Sequence, residues 1–335
     1  MKANDPLTIA ISLIIIAGVI LFVNSLTSQQ AVAPVLPPVQ GGETAPELQG
    51  IAGYINTEPF NLSDYRGKVI LVDFWTYSCI NCIRTLPYLT AWDEKYRDKG
   101  LVIIGVHTPE FEFEKNYDNV QKAVMKNNIE YAVVLDNDYQ TWRAYGNRFW
   151  PRKYLIDANG SIRYDHIGEG AYQETELMIQ KLLAERNASV GQENLVDLPE
   201  GTDFLQERSP EIYLGYSFAL PRGQDIGNGG FSPGETATYV LPDDFSRDVV
   251  YLEGDWKSND DNIELVSDTG KVVLKYRAKY VNIVAGGNST ISANNQTYGI
   301  TTNTLYTIVS NEEYKEDVLL IDVEGDFKLY TFTFG

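Results

Sequence analysis

The chain has 335 residues, of which 44% are apolar and 22% charged, so it can bury cores and is neither a disordered nor a fibrous protein. Its 27 lysines and arginines stand against 46 aspartates and glutamates, and the resulting −19 repels phosphate backbones, which excludes nucleic-acid binding as a function class. Two cysteines, Cys79 and Cys82, are too few for a disulfide-stapled scaffold or a four-cysteine zinc site. Whatever they do, they do as a pair.

Residues 1–6 precede an uncharged apolar run, Leu7 to Val23 (LTIAISLIIIAGVILFV). A hydrocarbon core of about 30 Å needs roughly 17 to 25 such residues, so the run is just long enough to span a membrane as one transmembrane helix. A cleaved signal peptide is the alternative, with Ala31-Val32-Ala33 as its small-x-small site, but Pro34 follows at once and would hinder cleavage. Lys2 precedes the run and no lysine or arginine follows until Arg66, which places the amino end inside and the bulk of the chain on the extracytoplasmic side of the cell membrane. Residues 24–43, small, polar and proline-containing, read as a linker reaching at most about 60 Å.

From residue 44 to 186, short β-rich runs alternate with helical patterns, the signature of an α/β sheet. Lys68 to Trp75 is a buried-strand run that leads into Cys79-Ile80-Asn81-Cys82 and then a helical stretch with Leu86, Leu89 and Trp92 on one face. Leu101 to Val106 is a second strand, Tyr117 to Asn127 a helix, Tyr131 to Leu135 a third strand and Tyr139 to Tyr145 a helix. Lys153 to Asp157 and Ile162 to His166 form a hairpin about Asn159-Gly160, and Glu174 to Leu183 is the closing helix.

The cysteine pair therefore opens a helix. Unpaired N–H groups and the helix dipole at a first turn stabilise a thiolate, the nucleophile of disulfide exchange, and a two-residue spacer lets the second sulfur resolve a mixed disulfide on the first. Two plainer readings compete. A zinc site would need two further ligands, and His107 and His166 are the only histidines, with no paired spacing. A purely structural disulfide closing so short a loop would remove little unfolded-chain entropy. Redox exchange is preferred, with no metal and no bound organic cofactor.

The string VILVDFWTYSCINCIRTLP resembles the active-site segment of thioredoxin-fold proteins. Together with GVHTPEFEFEK, LDNDYQTWRAYGNRFWP and YLID it is similar to the thioredoxin-like domain of DipZ proteins, relatives of the membrane-tethered TlpA and ResA oxidoreductases. The resemblance implies Cys79 as attacking thiol, Cys82 as resolving thiol, a Cys79–Cys82 disulfide in the oxidised form, and Asp73 as the buried acid that takes up the resolving thiol's proton. A desolvated carboxyl has a raised pKa and can serve as a base near neutrality; a solvated strand-end aspartate is the plainer reading. Pro87 matches a proline inside the active-site helix. Pro151 matches the cis-proline facing the cysteines, whose preceding backbone pairs with an incoming peptide, and the bulky Trp150 before it implies a narrower or aromatic-lined groove. Glu110 falls where ResA-like proteins place an acid near the disulfide. Trp75, Tyr77 and Trp150 are expected at the apolar rim of the site, although aromatics beside a strand usually fill core.

After a polar linker at residues 187–204, residues 205–335 change character. Seven short runs, Thr238-Leu241, Val249-Leu252, Lys271-Tyr276, Tyr280-Val284, Leu305-Val309, Val318-Val323 and Leu329-Phe334, read as strands without a helix between them, as in an all-β sandwich. Most of the negative charge lies here. SPEIYLGY, the run around Trp256 and the ending LYTFTFG resemble the carboxy-terminal domain of DipZ proteins, which implies a jelly-roll-like sandwich of the carbohydrate-binding-module type. Trp256, Tyr213 and Tyr216 are the candidates for an exposed sugar platform; filling the sandwich core is the preferred reading. The acidic loop Ser258 to Asn262 is an ordinary surface turn, and no metal is assigned to it.

The expectation is a membrane-anchored, extracytoplasmic thiol:disulfide oxidoreductase that reduces protein disulfides and is recharged by a separate CcdA/DsbD-like membrane electron donor, with a link to cytochrome c biogenesis. Two rivals are a surface glycan- or partner-binding protein with an accessory redox domain, and peroxide reduction on Cys79.

Overall fold

In a computed structural model, residues 42–187, 193–198 and 206–335 are described. The apolar run Leu7 to Val23 lies outside them, and no helix among the described residues is long and apolar enough to cross a membrane.

The first domain is a six-stranded sheet. Its strands are β1 (Gly53–Ile55), β2 (Val69–Trp75), β3 (Leu101–His107), β4 (Ala132–Leu135), β5 (Arg152–Ile156) and β6 (Ile162–Ile167), in the order β1-β4-β3-β2-β5-β6. The centre, β2, β3 and β4, is parallel, while β1, β5 and β6 join antiparallel. Every residue of β2 is buried, which is why it reads as an unbroken apolar run rather than an alternating one. Helices α1 (Ile80–Tyr96), α2 (Tyr117–Lys126), α3 (Gln140–Ala144) and α4 (Tyr172–Arg186) connect and cover these strands. The β5–β6 turn is fixed by the Asp157 carboxylate, whose Oδ1 accepts the N–H groups of Asn159 and Ser161 at 3.0 Å each, with Gly160 supplying the positive φ. Each of the predicted elements is present to within two or three residues, and β1, three residues long, was too short to show a period.

The second domain is a seven-stranded antiparallel sheet. It comprises β7 (Ile212–Tyr213), β8 (Thr236–Tyr239), β9 (Val250–Ser258), β10 (Ile263–Leu265), β11 (Thr269–Ala293), β12 (Gln296–Ile300) and β13 (Thr304–Phe334), with a short helix, α5 (Tyr216–Ala219), that runs on into a 3-10 turn at Leu220–Arg222. Two runs expected as separate strands, Lys271-Tyr276 and Tyr280-Val284, are one strand of 25 residues, and the last three expected strands are one strand of 31. The breaks are bends, not turns: the β11–β13 register shifts repeatedly between Ala278 and Gly286. Gly287 permits a close backbone approach, since a Cβ there would stand 2.1 Å from the Asp326 carbonyl oxygen. The bending rolls the sheet on itself, so that Glu324 is flanked by both Thr269 and Thr290 of β11, and β9, β10, β13 and β11 close a ring. Trp256, Phe327, Phe332 and the aliphatic residues around them fill the interior.

The two domains meet through aromatic side chains. Phe111 and Phe113, from the loop after β3, pack on Tyr330 with centroid separations of 5.1 and 4.8 Å. Tyr213, Ala219 and Val284 complete this buried cluster.

Candidate active site

The fully buried strand β2 runs into the site, and the chain turns at Thr76-Tyr77-Ser78 before α1 begins. Cys79 is the N-cap of α1 in an extended conformation, and its sulfur accepts the Cys82 backbone N–H at 3.4 Å. An unpaired helix donor thus points at the leading sulfur, the geometry that suits a thiolate. Cys79 is half-buried and Cys82 is buried, and both are free thiols here. Burial first, and then the hydrogen bond and charge of Cys79, push the Cys82 thiol well above the ordinary range; the charge of Asp73 adds to the same effect. Such a thiol stays protonated until a base is supplied. Pro87 lies within α1.

Asp73 is the carboxyl nearest in character to a base at this site. It is 1% exposed, and burial pushes its carboxyl up to about 7, with the Lys153 charge opposing. Its Oδ1 makes no hydrogen bond. Lys153 stands directly across from it in the β2–β5 register, is wholly buried, and donates from Nζ to the Gly168 carbonyl at 3.2 Å. Burial lowers the Lys153 pKa, while the charges of Asp73 and Cys82 oppose that shift. The sequence reading passed over Lys153, although a lysine inside the apolar run KYLID was a visible anomaly.

Glu114 is a second residue that the reading missed. Fully buried, it accepts Ser78 Oγ at 2.6 Å and the N–H groups of Ser78, Glu110 and Phe111 at 3.3, 2.6 and 3.0 Å. It ties the turn before Cys79 to the loop after β3, and burial raises its pKa despite those donors. His107, also wholly buried, meets Thr76 Oγ1 through Nε2 at 3.3 Å and is pushed by burial down to about 3, so it is neutral at physiological pH.

The expected rim divides. Trp150 is half-buried, lies against Trp142 with centroids 4.2 Å apart, and shares a cleft with Cys79; the Trp150–Pro151 peptide is cis. Trp75 and Tyr77 do not reach the rim. Trp75 is 0% and Tyr77 6% exposed, because the strand end faces inward and Tyr77 is covered by His107, Phe113 and the Asn303 carbonyl of the second domain. Both are packing residues and neither offers a surface to a substrate.

Glu110 lines the cleft with Cys79, but its Oε1 accepts the hydroxyl of Tyr213 from the second domain at 2.7 Å, and the same hydroxyl lies 3.0 Å from Glu211. Burial and the neighbouring Glu211 and Glu114 charges raise the Glu110 pKa well above its usual range. Of the sugar-platform candidates, Trp256, 1% exposed, fills the sandwich core as the core reading expects, whereas Tyr213, 6% exposed, is buried at the contact with Phe111 and Tyr330 rather than in that core, and Tyr216 is partly open. No cluster of metal-ligating side chains occurs among the described residues.

Two family profiles match separate stretches of the chain. The AhpC/TSA family profile matches residues 42–165, and the profile described as thioredoxin like C-terminal domain matches residues 209–335. Protein DipZ of Mycobacterium bovis is 35% identical over 302 residues, which is 87% of this chain and 43% of DipZ, so the chain spans less than half of that relative. Thiol-disulfide oxidoreductase ResA of Geobacillus thermodenitrificans is 30% identical over 146 residues, covering 44% of this chain and 76% of ResA. The thioredoxin domain of a thiol-disulfide oxidoreductase from Bacteroides vulgatus aligns with 42% of this chain and 98% of its own at 27% identity and a TM-score of 0.36. With three quarters of a ResA aligned at that identity, and DipZ matched through both domains, the chain belongs to the DipZ/ResA-like branch of the thioredoxin family.

Proposed function

We propose that the protein is a thiol:disulfide oxidoreductase that reduces protein disulfides, held to the outer side of the cell membrane by Leu7 to Val23. The observation that carries the reading is the Cys79 sulfur at a helix N-cap with an N–H on it, next to a buried Cys82 beside a carboxyl that titrates near neutrality. Cys79 as thiolate attacks one sulfur of a client disulfide, the client's other sulfur leaves as a thiolate, and a mixed disulfide forms. Asp73 takes the proton of Cys82, whose sulfur then attacks the Cys79 sulfur. The second client thiolate leaves and the Cys79–Cys82 disulfide forms: the client gains two electrons and the protein loses two. Lys153 holds the Asp73 carboxylate charge in the low-dielectric site.

On this reading residues 44–186 are the catalytic domain and 205–335 a jelly-roll-like module, with the membrane helix at 7–23, the segments 24–43 and 187–204 as linkers, and a CcdA/DsbD-like membrane protein as the source of electrons. Trp150, Pro151 and Glu110 line the client's path to Cys79. A Cys82→Ser variant, which stalls the mixed disulfide, should accumulate client adducts that dithiothreitol releases; no adduct with Cys82→Ser and no reduction of insulin by the wild type would sink the proposal. A reduction potential near the ~−120 mV of strong oxidants would reverse the direction of flow. The AhpC/TSA match raises peroxide as a rival substrate, and rapid hydrogen peroxide consumption by the purified protein would favour it.

A further inference from the structure

The cleft at Cys79 is not a surface of one domain. Its volume is about 650 Å³, with Cys79, Arg148, Phe149 and Trp150 on one wall and Tyr213, Arg222 and Phe334 of the second domain on the other. That volume is in the ~300–1,000 Å³ range of sites that enclose a small molecule or a few residues, not one that receives a folded face. The wall is fixed: Phe111, Tyr213 and Tyr330, which join the domains, are 2%, 6% and 5% exposed, and the Glu110–Tyr213 hydrogen bond crosses the same interface. The charges in the cleft are unequal in availability. Glu110 and Glu211 flank the Tyr213 hydroxyl, which donates to one of them at a time, burial raises the pKa of both carboxyls against the opposing charge of Arg222, and Glu207 is paired with Arg247 at 3.1 Å. Arg148 and Arg222 are exposed, with Arg222 lying over the Tyr213 ring at 4.4 Å. The negative field of the chain as a whole is screened beyond about 8 Å at physiological salt, so the guanidinium groups nearest the client decide.

We infer that the second domain completes the substrate site and selects disulfides carried on extended polypeptide segments with acidic residues beside the cysteine. A disulfide inside a folded domain cannot bring its sulfur to Cys79 past the Tyr213 and Phe334 wall, and an acidic neighbour meets Arg148 and Arg222. The inference rests on the disulfide-reductase reading and names the client class for it.

The test uses the full chain in detergent with five substrates: native and scrambled α-lactalbumin, two disulfide-bridged peptides of equal length flanked by glutamates or by lysines, and oxidised glutathione, each rate normalised to dithiothreitol. The expected kcat/KM is at least about tenfold higher for the scrambled than for the native protein, and about tenfold higher for the glutamate peptide at low salt, with the latter ratio collapsing toward one in concentrated sodium chloride. Arg222→Glu, checked for folding by its melting curve, should invert the peptide preference; Arg148→Glu is the second variant should the first not fold. Equal rates on native and scrambled protein, a lysine preference, or oxidised glutathione outpacing both peptides would overturn the inference while leaving the reductase reading intact. No turnover of any substrate would instead sink that reading.

Discussion

Buried charge separates the two domains. In the thioredoxin-like domain Asp73, Glu114, Asp136, Lys153 and Glu176 are all at 1% exposure or less, whereas the described residues of the second domain bury no Asp, Glu, Lys or Arg and stop at Ser, Thr and Asn. An unpaired buried ion costs several kcal/mol, so each such residue needs a reason. Most have one in hydrogen bonds. Glu176 accepts Trp92 Nε1 at 3.1 Å, Tyr96 at 2.6 Å and Lys95 at 2.7 Å, and Asp136 caps α3 through the N–H groups of Thr141 and Trp142 at 3.0 and 2.8 Å. Asp73 differs, with an oxygen left unbonded beside Cys82. The lesson is that burial alone marks structure, while burial with an unsatisfied oxygen next to a reactive sulfur marks chemistry. Among the described residues the second domain has no such point, and it lines the Cys79 cleft only with Tyr213, Phe334 and their neighbours.

The contrast breaks first at Cys79. Cys79→Ser should abolish insulin reduction to background; retained activity would move the chemistry elsewhere. Trp256→Ala should cost about 3–5 kcal/mol of second-domain stability by opening a core cavity. Because the tryptophan is buried beside Phe327, a denaturation curve should show that loss, and a stable variant that instead lost glycan binding would restore the sugar-platform reading. Asp73→Asn should slow the resolving step about 10²-fold at pH 7, within the usual range for a lost general base, and remove an inflection near 7 from its pH profile in stopped-flow fluorescence. Stability gives an independent sign. A carboxyl raised from 3.8 to about 7 in the folded state binds its proton more tightly there than when unfolded, so its contribution falls as pH rises through that window. The melting temperature of Asp73→Asn should therefore gain on the wild type between those values and hold the gain above them. The smallest effect belongs to the domain contact: Tyr213→Phe removes the hydroxyl between Glu110 and Glu211 and should lower stability by about 1–2 kcal/mol, read as a few degrees in melting temperature.

Local pattern was enough for much of this molecule. Buried parallel strands announce themselves as apolar runs, a helix start is read from the periodicity of the residues after it, and a two-residue cysteine spacing needs no partner from afar; β2, α1 and the Cys79–Cys82 pair were legible for that reason, whereas Asp73 was pointed to only by the family resemblance. Side-chain depth was not legible, because it is set by whatever packs from elsewhere in the chain. Trp75 and Tyr77 look like rim aromatics until the fold buries Trp75 and Phe113 and Asn303 cover Tyr77, Tyr213 reads as sandwich core until the fold sets it at the domain contact with its hydroxyl on Glu110, and Lys153 draws no notice until the β2–β5 register sets it against Asp73. Strand continuity in the second domain was hidden likewise, since a bulge that bends a strand and a turn that ends one use similar residues and only the pairing partner tells them apart. Composition and spacing determined what chemistry the chain carries; the packing of its two domains decided which side chains a client can reach, because exposure depends on contacts between residues far apart in the chain.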